Sequence, residues 1–385
     1  MVVGSGGREH ALVWKLLESA GVTEVVAVPG NAGIADLARC VEADLTSDAL
    51  LGVAEREGID FTVVGPEAPL VAGVVDAFEG AGRRIFGPNR LAARLEGSKG
   101  FAKAFMARHN VPTAAYRSFT DLGEATRYLE THSYPVVVKD SALAAGKGVT
   151  VARTRAEALG ALEGVLSAGG EAVIEAFLEG QEVSLLVLTD GETAYPLPLA
   201  QDYKQAFDGD LGPMTGGMGA VAPAPLLSEA ELGAVMRAVV SPTLEGLRAE
   251  GIGYRGVLFV GLMLTADGPR VLEYNVRFGD PEAQTVLPLL ESDLLELLEQ
   301  VHPIRYRDLI GQFGALFVTG ARTLRTQNDA LRFVHFIDKL YDLDKTLRVS
   351  GEVELKDLFD PSYRDGAYAK KHYRCLSRLS ELLEA

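Results

Sequence analysis

Residues 1–17 read MVVGSGGREHALVWKLL and hold three predicted elements in a short space. Met1–Val3 predicts a buried strand, Gly4–Gly7 a tight loop, and the apolar spacing from Ala11 to Leu17 a helix. The same alternation continues to residue 86, with further strands predicted at Val25–Val28, Phe61–Val64 and Arg84–Phe86. Strands that alternate with helices predict a parallel, doubly wound α/β sheet, whose ligands bind at the carboxyl ends of the strands.

Composition limits the classes of protein to which this chain can belong. It has 385 residues, a formal charge of −16 at pH 7 and 48% apolar residues, which fits a soluble protein of two or three domains. The acidic balance argues against nucleic-acid binding and against binding to an anionic membrane surface. Because the sequence shows no basic signal segment, no long apolar run and only two cysteines, Cys40 and Cys375, we expect a cytoplasmic protein.

The middle of the chain predicts more helices and strands around glycine-rich loops. Long helices are expected at Ala92–His109 and Glu229–Ala249, a loop at Asp208–Ala220, and a β-hairpin from Leu258–Thr265 and Arg270–Tyr274. The composition changes near residue 302. Of the 42 glycines, 37 precede this point, and the net charge is −18 before it and +2 after it.

Two loops have the composition of phosphate sites. Gly4–Gly7 precedes a helix, and the free N–H groups of a helix N-terminus favour an anion, although the full G-x-G-x-x-G pattern is missing. Gly146–Gly148 follows Lys139 at a strand end, which suits the phosphates of a nucleoside triphosphate, although no Walker A motif is present. The alternatives are a tight turn for the first loop and a hairpin turn with solvated lysines for the second.

Two further segments suggest ligand chemistry. Glu273, Asn275 and Arg277 alternate, so a strand would place them on one face. A carboxylate and an amide oxygen suit Mg²⁺, and the arginine suits phosphoryl or acyl-phosphate charge. The glycine-dense run from Asp202 to Gly219 suits a loop that wraps a small polar substrate. The alternatives are an exposed polar strand face and a mobile loop.

Residues 1 to about 300 strongly resemble the phosphoribosylamine–glycine ligase (GAR synthetase) family of ATP-grasp enzymes in purine synthesis. The matching stretches are GSGGREHA (4–11), GPEAPL (65–70), FGPN (86–89), EGSKGFAK (96–103), VVVK (136–139), LAAGKGV (143–149), FLEGQEVS (177–184), DYKQAFDGDLGPMTGGMGA (202–220), GVLFVGLM (256–263) and LEYNVRFGDPEAQTVLPLLESDLLE (272–296). The stretch at 202–220 and NVRFGDPE at 275–282 are specific to this ligase. The resemblance implies an N-terminal domain at 1–98 and an ATP-grasp domain at 99–300, whose small nucleotide-closing part covers about 112–180.

The resemblance also implies the reaction ATP + glycine + 5-phosphoribosylamine → ADP + phosphate + glycinamide ribonucleotide, through glycyl phosphate. It assigns ATP binding to Lys99, Lys139, Gly146, Lys147, Gly148, Glu175, Phe177, Leu178 and Glu182. It assigns phosphoribosylamine and glycine to Gly4, Gly6, Gly7, Arg8, Glu67, Asp202, Lys204, Asp210, Gly216 and Gly217. Arg277 and Lys139 are the implied catalytic residues, and Glu273 and Asn275 the implied ligands of Mg²⁺ or Mn²⁺.

Residues from about 302 to 385 resemble the C-terminal end of ZapE-like (AFG-type) AAA+ ATPases. The matching stretches are DALRFVHFIDKLYD (329–342) and KKHYRCLSRL (370–379). This implies a lid fragment at 301–385 that is mixed α/β or mainly helical. Helices are expected at Leu331–Leu340 and Leu376–Leu383 and a strand at Leu347–Val349. We expect His335 and His372 to be structural. The basic side chains around His372 are expected to form a solvated face, or to bind phosphate or a partner.

The likeness to the ligase stops near residue 300, and the family's usual C-terminal domain has no counterpart in this sequence. The leading hypothesis is therefore a ligase with a foreign tail, in which ATP binding survives better than ligation. One alternative is a catalytically impaired nucleotide-binding protein whose tail docks with a partner protein. Another is a junction made by recombination or by sequence assembly.

Overall fold

The computed structural model describes residues 1–143, 148–207, 211–215, 217–300, 315–321, 323–324, 327–342, 346–351, 353, 357–364 and 369–384. The chain forms two compact units, residues 1–301 and 302–385. Of the predicted site residues, Gly146, Lys147, Asp210 and Gly216 lie outside the described residues.

The first unit begins with a five-stranded parallel sheet. Its strands are β1 (Val2–Gly4), β2 (Val26–Pro29), β3 (Arg39–Cys40), β4 (Thr62–Val64) and β5 (Ile85–Phe86), in the order β3-β2-β1-β4-β5. Its helices are α1 (Gly7–Leu17), α2 (Ala32–Ala35), α3 (Ser47–Arg56), α4 (Glu67–Ala72) and α5 (Val74–Gly80). Val2 and Val3 of the central strand are fully buried, with apolar residues packed on both faces of the sheet. The predicted doubly wound parallel sheet is confirmed.

The single long helix expected at Ala92–His109 is wrong. The structure has two helices, α6 (Arg94–Gly97) and α7 (Lys99–Arg108), with Ser98 extended between them at φ −146°. The Ser98 hydroxyl accepts a hydrogen bond from the Phe101 N–H at 3.1 Å and so caps α7. As a result, Lys99 is the first residue of a helix.

A second, four-stranded antiparallel sheet follows, with the order β6-β9-β7-β8. It comprises β6 (Tyr116–Phe119), β7 (Val136–Asp140), β8 (Val149–Ala152) and β9 (Ala172–Ala176), and it is covered by α8 (Leu122–Leu129) and α9 (Arg155–Leu166). Its own core includes Val138, Leu162 and Ile174. The side chain of Lys139 is also buried.

The third sheet, with the order β11-β10-β16-β17, is antiparallel. Its strands are β10 (Gln181–Thr189), β11 (Ala194–Pro196), β16 (Gly256–Thr265) and β17 (Gly268–Asn275). The accompanying helices are α10 (Glu229–Val235) and α11 (Ser241–Ala249), joined by a π-helical segment at Met236–Val240, then α12 (Glu282–Val286) and α13 (Leu294–Gln300). The predicted hairpin is confirmed. Because β17 ends at Asn275, however, Arg277 lies beyond it, and the period-two argument for Arg277 is wrong.

The glycine-dense segment is more regular than expected. Four short strands flank or enter it: β12 (Gln201–Asp202), β13 (Gln205–Phe207), β14 (Leu211–Met214) and β15 (Ala220–Val221). They pair antiparallel as β12 with β15 and β13 with β14. The described part of the expected loop is thus two nested ladders, because backbone pairing satisfies polar groups that a loop would leave to solvent.

The second unit is mixed α/β. It contains β18 (Ala315–Ala321), α14 (Gln327–Asp342), β19 (Thr346–Gly351) and α15 (Ala369–Glu384), with β18 and β19 parallel. Val334, Ile337 and Leu379 belong to its apolar core. His372 is also buried, with its ring centroid 4.8 Å from that of Phe359, as a structural role would require.

Across the described ranges of both units, none of the helices combines the length and the apolar character needed to span a bilayer.

Candidate active site

One cleft of about 630 Å³ in the first unit gathers most of the predicted site residues. Those that line it are Arg8, Glu67, Lys99, Lys139, Gly148, Glu175, Phe177, Leu178, Glu182, Asp202, Lys204, Gly217, Glu273, Asn275 and Arg277. They come from strands of the second and third sheets, from β12, from helices α1, α4 and α7, and from connecting segments. Of the predicted site residues that the structure describes, only Gly4, Gly6 and Gly7 are not part of this lining.

The Gly4–Gly7 loop wraps a buried carboxylate of its own helix. The Gly6 N–H donates to Glu9 Oε2 at 2.6 Å, and Arg8 Nε donates to Glu9 Oε1 at 2.6 Å. The close approach requires glycine at position 65, where an added Cβ would lie 1.9 Å from Glu9 Oε1. Because Glu9 already occupies the Gly6 amide, an anion at this helix end would rely on Arg8 and the other amides. The anion role of the loop stays a prediction.

Arg277 reaches the cleft through a turn beyond β17 and is held between two carboxylates. Its Nη2 lies 2.8 Å from Glu96 Oε1, and its Nε lies 3.4 Å from Glu67 Oε2. Burial lowers the pKa of Arg277, but Glu96 and Glu67 outweigh that effect and raise it above its ordinary value. The guanidinium is therefore charged and fixed before any ligand arrives.

A buried lysine–carboxylate–lysine bridge underlies the cleft. Lys103 Nζ lies 2.7 Å from Glu175 Oε2, and Lys139 Nζ lies 3.0 Å from Glu175 Oε1. Lys139 also donates to the Leu272 carbonyl at 3.0 Å, which connects the second sheet with β17 of the third. Burial lowers the pKa of Lys103 to about 8 despite the neighbouring Glu175. Glu175, which the resemblance assigned to ATP binding, thus directs its carboxylate to two lysines.

Lys99 is the cleft lysine whose positive charge is least compensated by neighbouring carboxylates. Its Nζ donates to the Ala142 carbonyl at 3.1 Å, and the ion pairs of the described residues do not include it. Burial lowers the pKa of Lys99, and Glu273 partly offsets this effect. A phosphate at this position would supply the missing negative charge.

Glu273 and Asn275 form the predicted metal pair on β17. Asn275 Nδ2 donates to Glu96 Oε1 at 3.0 Å, which leaves Oδ1 as the atom available to a cation. Burial raises the pKa of Glu273, but Lys204, Lys139 and Lys99 together hold it below its ordinary value, so the carboxylate is ionised. Among the described residues no three His, Cys, Asp or Glu side chains are grouped closely enough to hold a metal ion. Two oxygen ligands from the chain fit a cation that completes its shell with phosphate oxygens and water.

Lys204 and Asp202 mark the far end of the cleft. Lys204 pairs with Glu182, and its Nζ lies 3.7 Å from Glu273 Oε1. Burial lowers the pKa of Lys204, but these two carboxylates outweigh burial and raise the pKa above its ordinary value. Burial and then the charge of Glu282 raise the pKa of Asp202 to about 7. The Glu182 carboxylate, which the resemblance assigned to ATP binding, is paired with Lys204.

Sequence reasoning missed four charged residues of the lining, namely Glu96, Lys103, Asp280 and Glu282. A signal for two of them existed. Lys99 and Lys103 are four residues apart, which places both on one face of a helix, and Glu96 precedes Lys99 by three. Asp280 and Glu282 sit in the NVRFGDPE stretch. Asp280 is exposed, and the burial of Glu282 depends on a contact far along the chain, with Ser184.

A charged cleft lined by strands of two antiparallel sheets is the arrangement of an ATP-grasp protein. The family described as phosphoribosylglycinamide synthetase, ATP-grasp (A) domain, matches residues 97–283, and the N domain of the same enzyme matches residues 1–96. A second likeness concerns the fold alone. The structure is similar to the biotin carboxylase domain of the 2-oxoglutarate carboxylase of Hydrogenobacter thermophilus, with a TM-score of 0.60 and 18% sequence identity. The match covers 78% of this chain and 68% of that one.

The chain belongs to the phosphoribosylamine–glycine ligase family. The ligase of Xanthomonas axonopodis pv. citri is 52% identical over 309 residues, which cover 78% of this chain and 72% of the relative. The ligase of Halalkalibacterium halodurans is 48% identical over 308 residues, covering 78% and 72%. The crystal structure of the ligase of Thermotoga maritima is 34% identical with a TM-score of 0.66, over 77% of this chain and 74% of that one.

The rest of the chain is similar to a different family. AFG1-like ATPase matches residues 282–385, so the predicted likeness of the tail is confirmed. The chain therefore joins a region of the ligase family to a segment that is similar to a different family. The two matches meet at residues 282–283, before the boundary of the compact units.

Proposed function

We propose that the first unit joins glycine to 5-phosphoribosylamine at the expense of ATP, as the names of its relatives imply. The observation that carries the proposal is the convergence of Lys99, Lys139 and Arg277 with Glu273 and Asn275 in one cleft. Cations at one end would hold phosphates, and the oxygen pair would hold a divalent cation that bridges them. The comparisons favour this enzyme over an impaired docking protein.

The chemistry requires two displacements. A carboxylate oxygen of glycine attacks the γ-phosphorus of ATP and ADP leaves, which gives glycyl phosphate. The amine of phosphoribosylamine then attacks the acyl carbon, the C–O bond to phosphate breaks, and the amine loses a proton. The chain's part is to position the reactants and neutralise their charge.

Arg277 has the geometry for the transferred phosphoryl group. Its guanidinium is anchored by Glu67 and Glu96, so little reorganisation is needed when negative charge develops beside it. Lys139 is anchored in the same way by Glu175. We assign ATP phosphates to Lys99 and Lys139, and the nucleoside to the Phe177–Leu178 connection between β9 and β10.

A divalent cation would bind Glu273 and the Asn275 amide oxygen. When bound it would neutralise phosphate charge and polarise the transferred group. Both Mg²⁺ and Mn²⁺ suit these hard oxygen ligands. We expect that chelation abolishes turnover and that either ion restores it.

The proposal is tested by incubating the full chain with ATP, glycine and phosphoribosylamine and measuring ADP and glycinamide ribonucleotide. We expect stoichiometric formation of both, dependent on every substrate. Arg277→Lys keeps the positive charge but loses the planar guanidinium and its parallel N–H donors. It is expected to lower kcat on the order of 100-fold. Arg237→Lys on the exposed side of the π-helical segment is the control. Folded protein that binds ADP but forms no ribonucleotide would refute the ligase assignment.

A cytoplasmic location and a protein partner for the second unit remain proposals. The two cysteines, Cys40 and Cys375, are both free, which suits a reducing compartment. The support for a partner is the match of residues 282–385 to AFG1-like ATPase. Co-purification of a AAA+ ATPase with the full chain, and its loss when residues 302–385 are removed, is the result that we expect.

A further inference from the structure

Glu96 is a buried carboxylate that binds three consecutive residues at the end of β17 and beyond it. It belongs to α6, and its side chain is only 5% exposed. Its Oε1 accepts from Asn275 Nδ2 at 3.0 Å and lies 2.8 Å from Arg277 Nη2, and its Oε2 accepts from the Val276 N–H at 2.7 Å. Val276 lies 180 positions further along the chain. Glu96 thus contacts both a proposed metal ligand and the arginine proposed for the phosphoryl group.

The three groups that Glu96 binds are all hydrogen-bond donors. An ionised carboxylate, which has only acceptor sites, can satisfy all of them at once. Burial raises the pKa of Glu96, while the charge of Arg277 and the Val276 N–H oppose that effect. The carboxylate is held in one position, because turning it away would leave buried polar atoms unpaired.

The contact with Glu96 decides which end of the Asn275 amide points into the cleft. The oxygen and the NH₂ group of an amide are nearly equal in size, so packing alone does not choose between them. A carboxylate does choose, because it accepts hydrogen bonds and cannot donate them. With Nδ2 bound to Glu96, Oδ1 is the end left for a cation, on the same strand face as Glu273. An amide turned the other way would present N–H groups to the cation and repel it.

A second carboxylate, that of Glu67, separates two roles that Glu96 combines. Glu67 Oε2 lies 3.4 Å from Arg277 Nε, so both carboxylates anchor the same guanidinium. Among the hydrogen bonds of the described residues, the Asn275 amide is bound by Glu96 and not by Glu67. The orientation of the amide can therefore be tested apart from the anchoring of the arginine.

We propose that Glu96 is a positioning residue that turns the Asn275 oxygen toward the divalent cation and holds Arg277 in the same rigid unit. The inference rests on the proposed ligase function. Glu96 acts through these two residues, because both of its oxygens are already bound to donors. Its effect on metal binding passes through Asn275, and its effect on phosphoryl transfer passes through Arg277.

The test measures ADP binding to the full-length chain by calorimetry, once with Mg²⁺ and once with a chelator. ADP lacks the phosphoryl group assigned to Arg277, so the gain in affinity with Mg²⁺ reports on the metal ligands. We expect this gain to be about 10-fold smaller in Glu96→Gln than in the wild type. The new NH₂ group can donate to Asn275 Oδ1, which turns the amide's own NH₂ toward the cleft. Affinity for ADP in the chelator should change by less than about twofold.

Glu67→Gln is the matched variant, because it removes the other carboxylate beside Arg277 and leaves Asn275 with its partner. Both variants should lower kcat, but only Glu96→Gln should lose the gain in ADP affinity with Mg²⁺. Glu163→Gln, on the exposed side of α9, should change neither property. A purely structural role of Glu96 would instead weaken ADP binding equally with and without Mg²⁺.

The failures of the two proposals are distinguishable. If Mg²⁺ tightens ADP binding equally in the wild type and Glu96→Gln, or in neither, the positioning role is wrong, and ribonucleotide formation still decides the ligase assignment. If the wild type forms no ribonucleotide but Glu96→Gln loses the gain with Mg²⁺, the ligase assignment fails and the orientation of Asn275 by Glu96 stands. If Glu96→Gln does not fold, as judged by circular dichroism, Glu96→Asp replaces it. This variant keeps the charge on a shorter side chain, and an unchanged gain with Mg²⁺ would overturn the inference.

Discussion

At the scale of single residues, Lys103 and Lys139 share one carboxylate, that of Glu175, in a nearly dry interior. Lys103 is 2% exposed and also donates to Thr113 Oγ1 at 2.6 Å, and Thr113 in turn donates to the Val271 carbonyl at 2.6 Å. The network therefore fixes α7, β9 and β17 to each other. Burying two lysines against one carboxylate is unfavourable by desolvation, so the arrangement holds Lys139 ready for a ligand rather than adding stability.

The lowered pKa of Lys103 predicts a pH-dependent stability difference. Between pH 8 and pH 10.5 the unfolded chain keeps a proton on this lysine that the folded chain has released. The free energy of unfolding of the wild type should therefore rise with pH relative to that of Lys103→Met, by up to about 3 kcal/mol across this window. Denaturant unfolding at several pH values measures it.

The control for Lys103 is Lys370→Met, which removes an exposed lysine of α15. Its stability difference from the wild type should not vary over the same pH window. A constant difference for Lys103→Met would show that this lysine keeps an ordinary pKa in the folded chain.

At the scale of elements, the break between α6 and α7 places the first cleft lysine. Ser98 caps α7, and its hydroxyl lies 3.3 Å from Ser141 Oγ, which also accepts from the Gly100 N–H at 3.0 Å. The helix start is thus tied to the end of β7. Lys99 follows the cap directly, so the cap determines where its side chain enters the cleft.

Removal of the cap is expected to affect stability and ligand binding together. Ser98→Ala should lower the free energy of unfolding by about 1 kcal/mol, because the Phe101 N–H loses its acceptor. It should also weaken ADP binding, measured by calorimetry, since Lys99 is displaced. Ser98→Thr keeps a hydroxyl and is expected to retain both properties. Equal ADP affinity in Ser98→Ala and wild type would show that the cap does not position Lys99.

The local sequence pattern predicted the strands and helices that have strong apolar periodicity. It failed where a capping side chain determines where a helix begins or ends. The β16–β17 hairpin was predicted because two segments with strand character, Leu258–Thr265 and Arg270–Tyr274, flank an Asp–Gly turn. The division of Ala92–His109 was not predicted, although Gly97 is a poor helix former and Ser98 is a preferred N-cap residue. Arg277 was placed in the right site for the wrong reason: a turn, rather than the strand period, brings it to Glu67 and Glu96.

At the scale of the whole molecule, the chain consists of two units with separate apolar cores. Residues 1–301 carry a net charge of −18 and residues 302–385 carry +2. The core of the second unit is built from its own residues, including Ile337, Leu340 and Leu347. Asp338 of α14 pairs with Arg374 and Arg378 of α15, so part of the basic cluster predicted for a partner is used internally.

Because each core is internal to its unit, we expect residues 1–301 to fold alone. A fragment that ends at residue 301 should keep the helix and strand content of this unit and bind ADP within about threefold of the full chain. Circular dichroism and calorimetry measure the two properties. An insoluble fragment, or one that fails to bind ADP, would mean that the second unit is required by the first.

The sequence by itself determined the family, the parallel first sheet, the change near residue 300 and most of the cleft lining, because these depend on local motifs and on periodicity. Only the tertiary structure decided which charges are satisfied. The Glu175 carboxylate contacts two lysines, and the Gly6 N–H donates to the Glu9 carboxylate. In the part of the chain that the structure describes, Asp202 Oδ1 has no hydrogen-bond donor. These facts depend on burial and on partners that lie up to some 270 residues apart, as in the bond from Arg8 to the Phe278 carbonyl, and no local pattern encodes them.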